Sequence, residues 1–415
     1  MHQEPVLLLR TSGAVTTALS PCYRSYLSLL RRELAGVARL HVLTDLSLSL
    51  PAGLTSRELR SRAIAHEVQL TRQLDGVPAF AYTVADVIDT FPHVAWPIPG
   101  NLHPLSALHN DTRLWVQERL TALRARGLPL TRTLERGQTV SNLISYYVHE
   151  PSLCLWMRRQ QQQQRLQQRE RVAGVARTDG SPSLPTHVWV IEDDAVFLGN
   201  IRRALAPYVN KTAADLVAVF QPSAYLDDQW HLHRNVAFAA ALPDSLDGTG
   251  GSSNGDDGGG RRLGSTRLPL HKWEHVERYS VALLNKLGDL LHRGAAAYGE
   301  HFASTVCDRL SWCATADLRD ERLVPRDASL YADSVPLARK TLASHLRRAT
   351  VRSGAPGRWL HAVKGGCDML AVSRCGVRLR REEEGGDGQD RQPCKALASK
   401  PGRSASTTTT RVSKM

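Results

Sequence analysis

Three consecutive acids, Glu192, Asp193 and Asp194, directly follow the apolar run Val188-Trp-Val-Ile191 and directly precede a second one, Ala195-Val-Phe-Leu198. A continuous apolar run bounded by polar residues reads as a buried strand. Carboxylates at the end of such a strand are costly to bury unless something positive sits with them. In open α/β sheets, ligands lie outside the carboxyl ends of the strands. The triplet therefore reads as a cation or phosphate site: carboxylate oxygens suit a divalent cation, and such a cation can neutralise a diphosphate. Side chains alternate along an extended segment, so either Glu192 with Asp194, or Asp193 alone, faces the ligand.

A fourth acid, Glu300, stands in Tyr298-Gly-Glu-His-Phe302, beside an apolar ring and near a helix start. A carboxylate so placed can act as a general base if its pKa is raised, or can simply stabilise the helix N-terminus. The densest remaining cluster is His271-Lys-Trp-Glu-His275. Its histidines have the spacing of a zinc pair on one helix face, but no HExxH is formed. Lys272 and His275 could instead contact phosphate or acceptor, with Trp273 as a stacking surface for a sugar; otherwise Trp273 packs in the core. Arg278 is a further cation able to assist a leaving group. His231 and His233 share a face if extended, and one of them could complete a metal site. No GxxxxGK[ST], no GxGxxG after the first strand and no GxSxG occurs, which argues against a P-loop, a dinucleotide fingerprint and a hydrolase elbow.

Positioning these groups requires a strand-and-helix framework, and the chain supplies one from its start. Residues 5–10 read as a strand, 20–34 as a helix with Pro21 at its beginning, and 40–43 as a second strand ending at Thr44-Asp45. Tyr23, Tyr26, Leu27, Leu30 and Leu34 fall on one helical face. Strand, helix, strand at this spacing predicts a parallel sheet. A third strand is expected near 79–84 and a helix or turn at 85–91. Further helices are expected at 112–124, 139–148 and 152–157, and a short one at 201–208 before a strand at 216–220. Residues 271–292 read as the strongest helix, with Val276, Tyr279, Leu283, Leu284, Leu287, Leu290 and Leu291 on one face and Gly294 as its stop. A short helix over 295–306 follows, then a basic one at 337–348.

The formal charge of +13 on 415 residues favours anionic partners, and the apolar fraction of 42% supports a large core. The arginines are scattered over helical stretches and the Gln/Arg run 158–171 lacks aromatic residues, so no nucleic-acid partner is expected. That run reads as a solvated helix extension or a disordered insertion; 243–266 is Gly/Ser/Asp-rich and flexible, and the tail is disordered. Seven cysteines include two near pairs, Cys307/Cys313 and Cys367/Cys375, either disulfides in an oxidising compartment or buried thiols. No apolar stretch is long enough for a membrane span.

Val188-Trp-Val-Ile-Glu-Asp-Asp-Ala-Val-Phe197 resembles the DxD region of GT-A-type glycosyltransferases, in which a hydrophobic strand leads into acids that hold Mn2+ or Mg2+ and a nucleotide sugar. Tyr298-Gly-Glu-His-Phe-Ala-Ser-Thr305 is similar to the D-E-H-aromatic-x-x-T segment of core-2/I-branching-type transferases, whose Glu is the catalytic base. Gly299 replaces the Asp of that segment, the preceding Ser-Pro-Asp is missing, and that group works without a metal, so the two likenesses point to different families. Together they imply an α/β, GT-A-like (Rossmann-like) fold with a central, mostly parallel sheet flanked by helices and a helical C-terminal part. One catalytic domain would span 1–372, with insertions at 158–186 and 243–268 and a tail from 373 to 415. They also imply an enzyme moving a sugar from a nucleoside-diphosphate donor to a hydroxyl on a glycan or protein. Glu192, Asp193 and Asp194 would hold the metal, Asp193, Lys272 and Arg278 the donor, and Glu300 would be the base. The compartment would be the Golgi lumen if an N-terminal anchor precedes this chain, the cytoplasm otherwise. Two rival readings are a non-catalytic binding member of the same fold and a metal-dependent phosphodiesterase or nuclease using Asp227 or Asp228 at a second metal.

Overall fold

The computed structural model describes residues 4–17, 19–47, 49–50, 54–94, 148–172, 184–210, 214–221, 271–297, 299–320 and 357–360, with 242, 246 and 323 singly. The expected helices at 112–124 and 337–348, the tail, Cys367, Cys375, Asp227, Asp228, His231 and His233 lie outside these residues.

Strand β1 (Val6–Ser12) is followed by a short α1 (Gly13–Thr17), helix α2 (Pro21–Leu34) and β2 (Arg39–Asp45). Ser20 caps α2 by accepting from the Tyr23 amide, and Pro21 follows, as the sequence signals. All five residues of the expected α2 face are buried. Helix α3 (Ser56–Gln73), which periodicity alone does not announce, starts in a capping box between Thr55 and Glu58. Strand β3 (Ala79–Tyr82), helix α4 (Val84–Thr90), helix α5 (His149–Val172) and β4 (His187–Glu192) come next. The Gln/Arg run is thus a helix extension through Val172. The chain then forms β5 (Val196–Gly199), α6 (Ile201–Asn210), β6 (Leu216–Gln221), β7 (His271–Ser280), α7 (Val281–His292), α8 (Gly299–Asp308), β8 (Thr315–Asp317) and β9 (Gly357–Leu360).

Seven strands form one sheet in the order β3-β2-β1-β4-β7-β6-β8, and β5 pairs with β9 separately. Neighbours β1, β2, β3 and β4 run parallel, as do β6 and β8, while β7 runs antiparallel to both β4 and β6. The fold is therefore α/β, with a mostly parallel central sheet and helices on both faces. Alternation along the strands builds the two cores: Leu7, Leu9, Trp189 and Ile191 pack with α2 and α6, while Val6, Leu8, Val188 and Val190 pack with α5, α7 and α8.

The expected helix over 271–292 is corrected. Its first ten residues are β7, and only Val281–His292 is helical. The break is at Ser280, whose hydroxyl accepts from the Leu283 amide and caps α7, while its own amide donates to the Asp215 carbonyl. Pairing with β4 and β6 completes the sheet on both sides of β7, a tertiary gain that periodicity cannot report. Gly294 ends α7 with φ +89, and a Cβ there would stand 2.6 Å from the His93 carbonyl oxygen.

Candidate functional site

Strand register brings the candidate residues together. Parallel pairing sets Arg10 of β1 opposite Glu192 of β4, so the next residue, Thr11, reaches the acid turn. Antiparallel pairing sets Val276 of β7 opposite Ile191, so His275 arrives on the other side. The turn is closed by the Ala195 amide donating to the Glu192 carbonyl at 3.0 Å. Each acid of the triplet then meets a different environment. His275 Nδ1 donates to Glu192 Oε2 at 2.6 Å, and Arg10 Nη1 stands 3.8 Å from Glu192 Oε1. Thr11 Oγ1 donates to Asp193 Oδ2 at 2.6 Å. Asp194 is buried. Behind Asp193 lie two buried phenols; burial, with the Asp193 charge added, pushes the pKa of Tyr23 and Tyr26 above the ordinary range, so both stay neutral.

Glu300 opens α8, and its Oε2 accepts from His271 Nε2 at 3.1 Å. His271 pairs with Gln221 at the carboxyl end of β6. Glu192 and Glu300 are thus each tied to a histidine of β7, four residues apart, a span of at most about 13 Å of extended chain. Both acids stand at the same edge of the sheet.

The other expected contacts lie elsewhere. Lys272 is fully buried and ion-paired with Glu277 and, at 3.1 Å, with Glu150. Register shifts between Val217 and Val219, a bulge that lets Lys272 and Glu277, five apart, share a face. Arg278 is 1% exposed and stacks over the Tyr208 ring at 5.4 Å. Neither cation is presented to the acid turn, because β7 is a central strand and both its faces are covered. Trp273 packs in the core beside Val217 and Val219, which removes the sugar-stacking surface. His271 and His275 do not form a helical zinc pair, since their segment is a strand. Asp45 serves the turn after β2, accepting from the Ser47 amide and hydroxyl. Cys307 and Cys313 form a disulfide, whereas Cys154 is a buried thiol.

Four residues went unnoticed in the sequence: Arg10, His149, Glu150 and Glu277. Arg10 carried one signal, since it directly follows the apolar run Val6–Leu9 as the acids directly follow Val188–Ile191. Glu277 carried another, an acid amid the apolar residues Val276 and Tyr279. His149 and Glu150 carried none.

Among the described residues, no group of three or more His, Cys, Asp or Glu side chains converges on a metal position. The donor chemistry fits a hard divalent cation in one form: one or two carboxylates of the turn, with phosphate oxygens and water completing the shell, the usual manner of Mg2+. A cavity of about 540 Å³ lies at the opposite edge of the sheet, against Arg39, Ala79 and Trp156, and is remote from these acids.

No protein-family model matches the sequence, and no curated protein matches it. Among solved structures, the chain is similar to core-mannan synthase A from Aspergillus fumigatus in its Mn/GDP form, with 13% identity, a TM-score of 0.33, and coverage of 76% of this chain and 73% of that one. A likeness this distant adds nothing to the site geometry.

Proposed function

We propose that this chain is a glycosyltransferase that moves a sugar from a nucleoside-diphosphate sugar to a hydroxyl group on a glycan or protein. The observation that carries the proposal is the acid turn Glu192–Asp194 at the carboxyl end of β4, flanked by the ends of β1 and β7, with Glu300 tied through His271 to the same strand as Glu192. Ligand sites of α/β sheets lie at this edge.

In this reading Asp193 and Asp194 are the carboxylates that hold a Mg2+ or Mn2+ ion, and Glu192 is fixed by His275 and Arg10. The cation, when bound, supplies neutralising charge to the departing diphosphate. Arg10, at the rim of the turn, adds a positive charge that does not need to be recruited. Glu300 takes the proton from the acceptor hydroxyl as its oxygen bonds to the sugar's anomeric carbon and the bond from that carbon to the diphosphate breaks. One displacement of this kind inverts the anomeric centre. His271 orients Glu300 by donating to Oε2, leaving Oε1 as the proton-accepting atom. The Cys307–Cys313 disulfide favours an oxidising compartment.

The test is a panel of UDP-, GDP- and CMP-sugars with simple glycan acceptors and Mn2+, followed by product NMR. Transfer from one donor, abolished in Glu300→Gln, supports the proposal; no transfer and no donor hydrolysis across the panel contradicts it. A binding-only role is favoured by one observation: protein groups already engage Glu192, Asp193 and Glu300. It predicts donor binding with no turnover.

A further inference from the structure

Beneath the acid turn, a chain of buried ionic and polar groups leads inward from Arg10. Arg10 Nη1 donates to His149 Nδ1 at 2.5 Å. His149 Nε2 donates to Glu277 Oε2 at 2.8 Å. Glu277 Oε1 accepts from Lys272 Nζ, which also pairs with Glu150 Oε1 at 3.1 Å. Tyr279 donates its hydroxyl to Glu277 Oε2 at 2.5 Å. His149, Glu150, Lys272, Glu277 and Tyr279 are all fully buried, and they come from α5 and β7, more than a hundred residues apart.

The protonation pattern follows from the donor inventory. A guanidinium only donates, so His149 Nδ1 must be the accepting nitrogen and Nε2 must carry the proton. His149 is therefore the neutral Nε2–H tautomer. Burial and the Arg10 charge act the same way, lowering its pKa. The buried charges balance, with Lys272 and Arg10 against Glu277 and Glu150. An ionic group set in the interior costs more than packed apolar residues of the same volume, so stability alone does not account for it. The outer end of the chain is Arg10, which is 12% exposed, stands 3.8 Å from Glu192 and also acts electrostatically on Asp45.

We infer that Arg10, rather than Lys272 or Arg278, is the positioning cation of the acid turn, and that the His149–Glu277–Lys272–Glu150 chain holds it there. Its functional side rests on the proposed donor site; its structural side does not. Arg10 fixes Glu192 from the β1 side as His275 does from the β7 side. An aspartate or serine in place of His149 could not reach both partners, and a lysine could not accept from Arg10.

The test compares wild type with Arg10→Met, His149→Phe and His149→Gln, using crystal structures and the affinity of a GDP–Mn2+ or UDP–Mn2+ complex. The glutamine amide keeps one acceptor for Arg10 and one donor for Glu277. In Arg10→Met and His149→Phe, Glu192 is expected to swing away from the β1 side while keeping His275, and the affinity to fall at least tenfold. In His149→Gln both stay near wild type. If His149→Phe does not fold, Arg10→Met, at the rim, decides alone. Unmoved Glu192 in Arg10→Met, or unchanged affinity, overturns the inference. If wild type binds no nucleotide, the donor site fails, and the position of Glu192 in the variant structures still decides the role of Arg10.

Discussion

His275 Nδ1 donates to Glu192 Oε2 at 2.6 Å, fastening β7, which runs antiparallel to both its neighbours, to the end of the strand that carries the acids. Both side chains are partly exposed, 19% and 26%. At such exposure the pair contributes about 1 kcal/mol or less to stability. His275→Ala is therefore expected to leave urea unfolding within about 1 kcal/mol of wild type while weakening metal-dependent nucleotide binding severalfold. Equal losses in both measurements would give the contact a structural role only.

The buried pair behaves oppositely. Burial raises the Glu277 pKa, but the Lys272 ammonium and the His149 hydrogen bond beside it outweigh this and hold the carboxyl well below the usual carboxylate range. Removing one partner of a buried ion pair leaves an uncompensated charge, which costs about 3–5 kcal/mol. Lys272→Met, which strands Glu277 and Glu150, is expected to show a loss of that size in chemical denaturation. Adding Glu277→Gln to that variant should recover part of it. A loss under about 1 kcal/mol in the single variant would contradict the buried network.

Much of this arrangement was legible in the sequence, and the reasons differ by element. β1, β2 and β4 are apolar runs buried on both faces, and α2 has a cap, a proline and a clean apolar face, so local signals and tertiary fate agree. β7 misleads because His271–Ser280 carries apolar residues at spacings that fit a helix, while its state is decided by β4 and β6 on either side. The acid turn was legible because three carboxylates after a buried strand demand explanation. Arg10 and His149 were not, since their roles arise from pairing β1 with β4 and from α5 crossing beneath, and neither is a local property.

Two histidines tie stability to pH. Burial, with Arg39 nearby, lowers the His41 pKa to about 4, and burial, with Arg278 nearby, lowers that of His187 to about 4. Unfolded histidine titrates near ~6.5, so each group binds its proton more readily in the unfolded chain. Their contribution is fully present above pH ~6.5 and is lost as pH falls toward about 4, by roughly 1–3 kcal/mol each. Urea unfolding at pH 7 and pH 5 should show the decline, and His41→Gln should flatten it. A slope unchanged in that variant would contradict the assignment.

Gly294 is held at a positive φ beneath the His93 carbonyl. Gly294→Ala must strain the backbone and displace that oxygen, at a cost of about 1–3 kcal/mol. A lowered melting temperature checks this, and wild-type stability would mean that α7 ends differently.

The most direct measurement of the central claim is calorimetric titration of GDP and UDP with and without Mn2+, in wild type and in Asp193→Ala. Asp193 is half-buried in a turn, so its replacement leaves the sheet in place. Binding in wild type is expected to require Mn2+ and to fall at least tenfold in Asp193→Ala. Binding of equal strength without the metal, or unaffected by the loss of Asp193, would contradict it, as would no binding of either nucleotide.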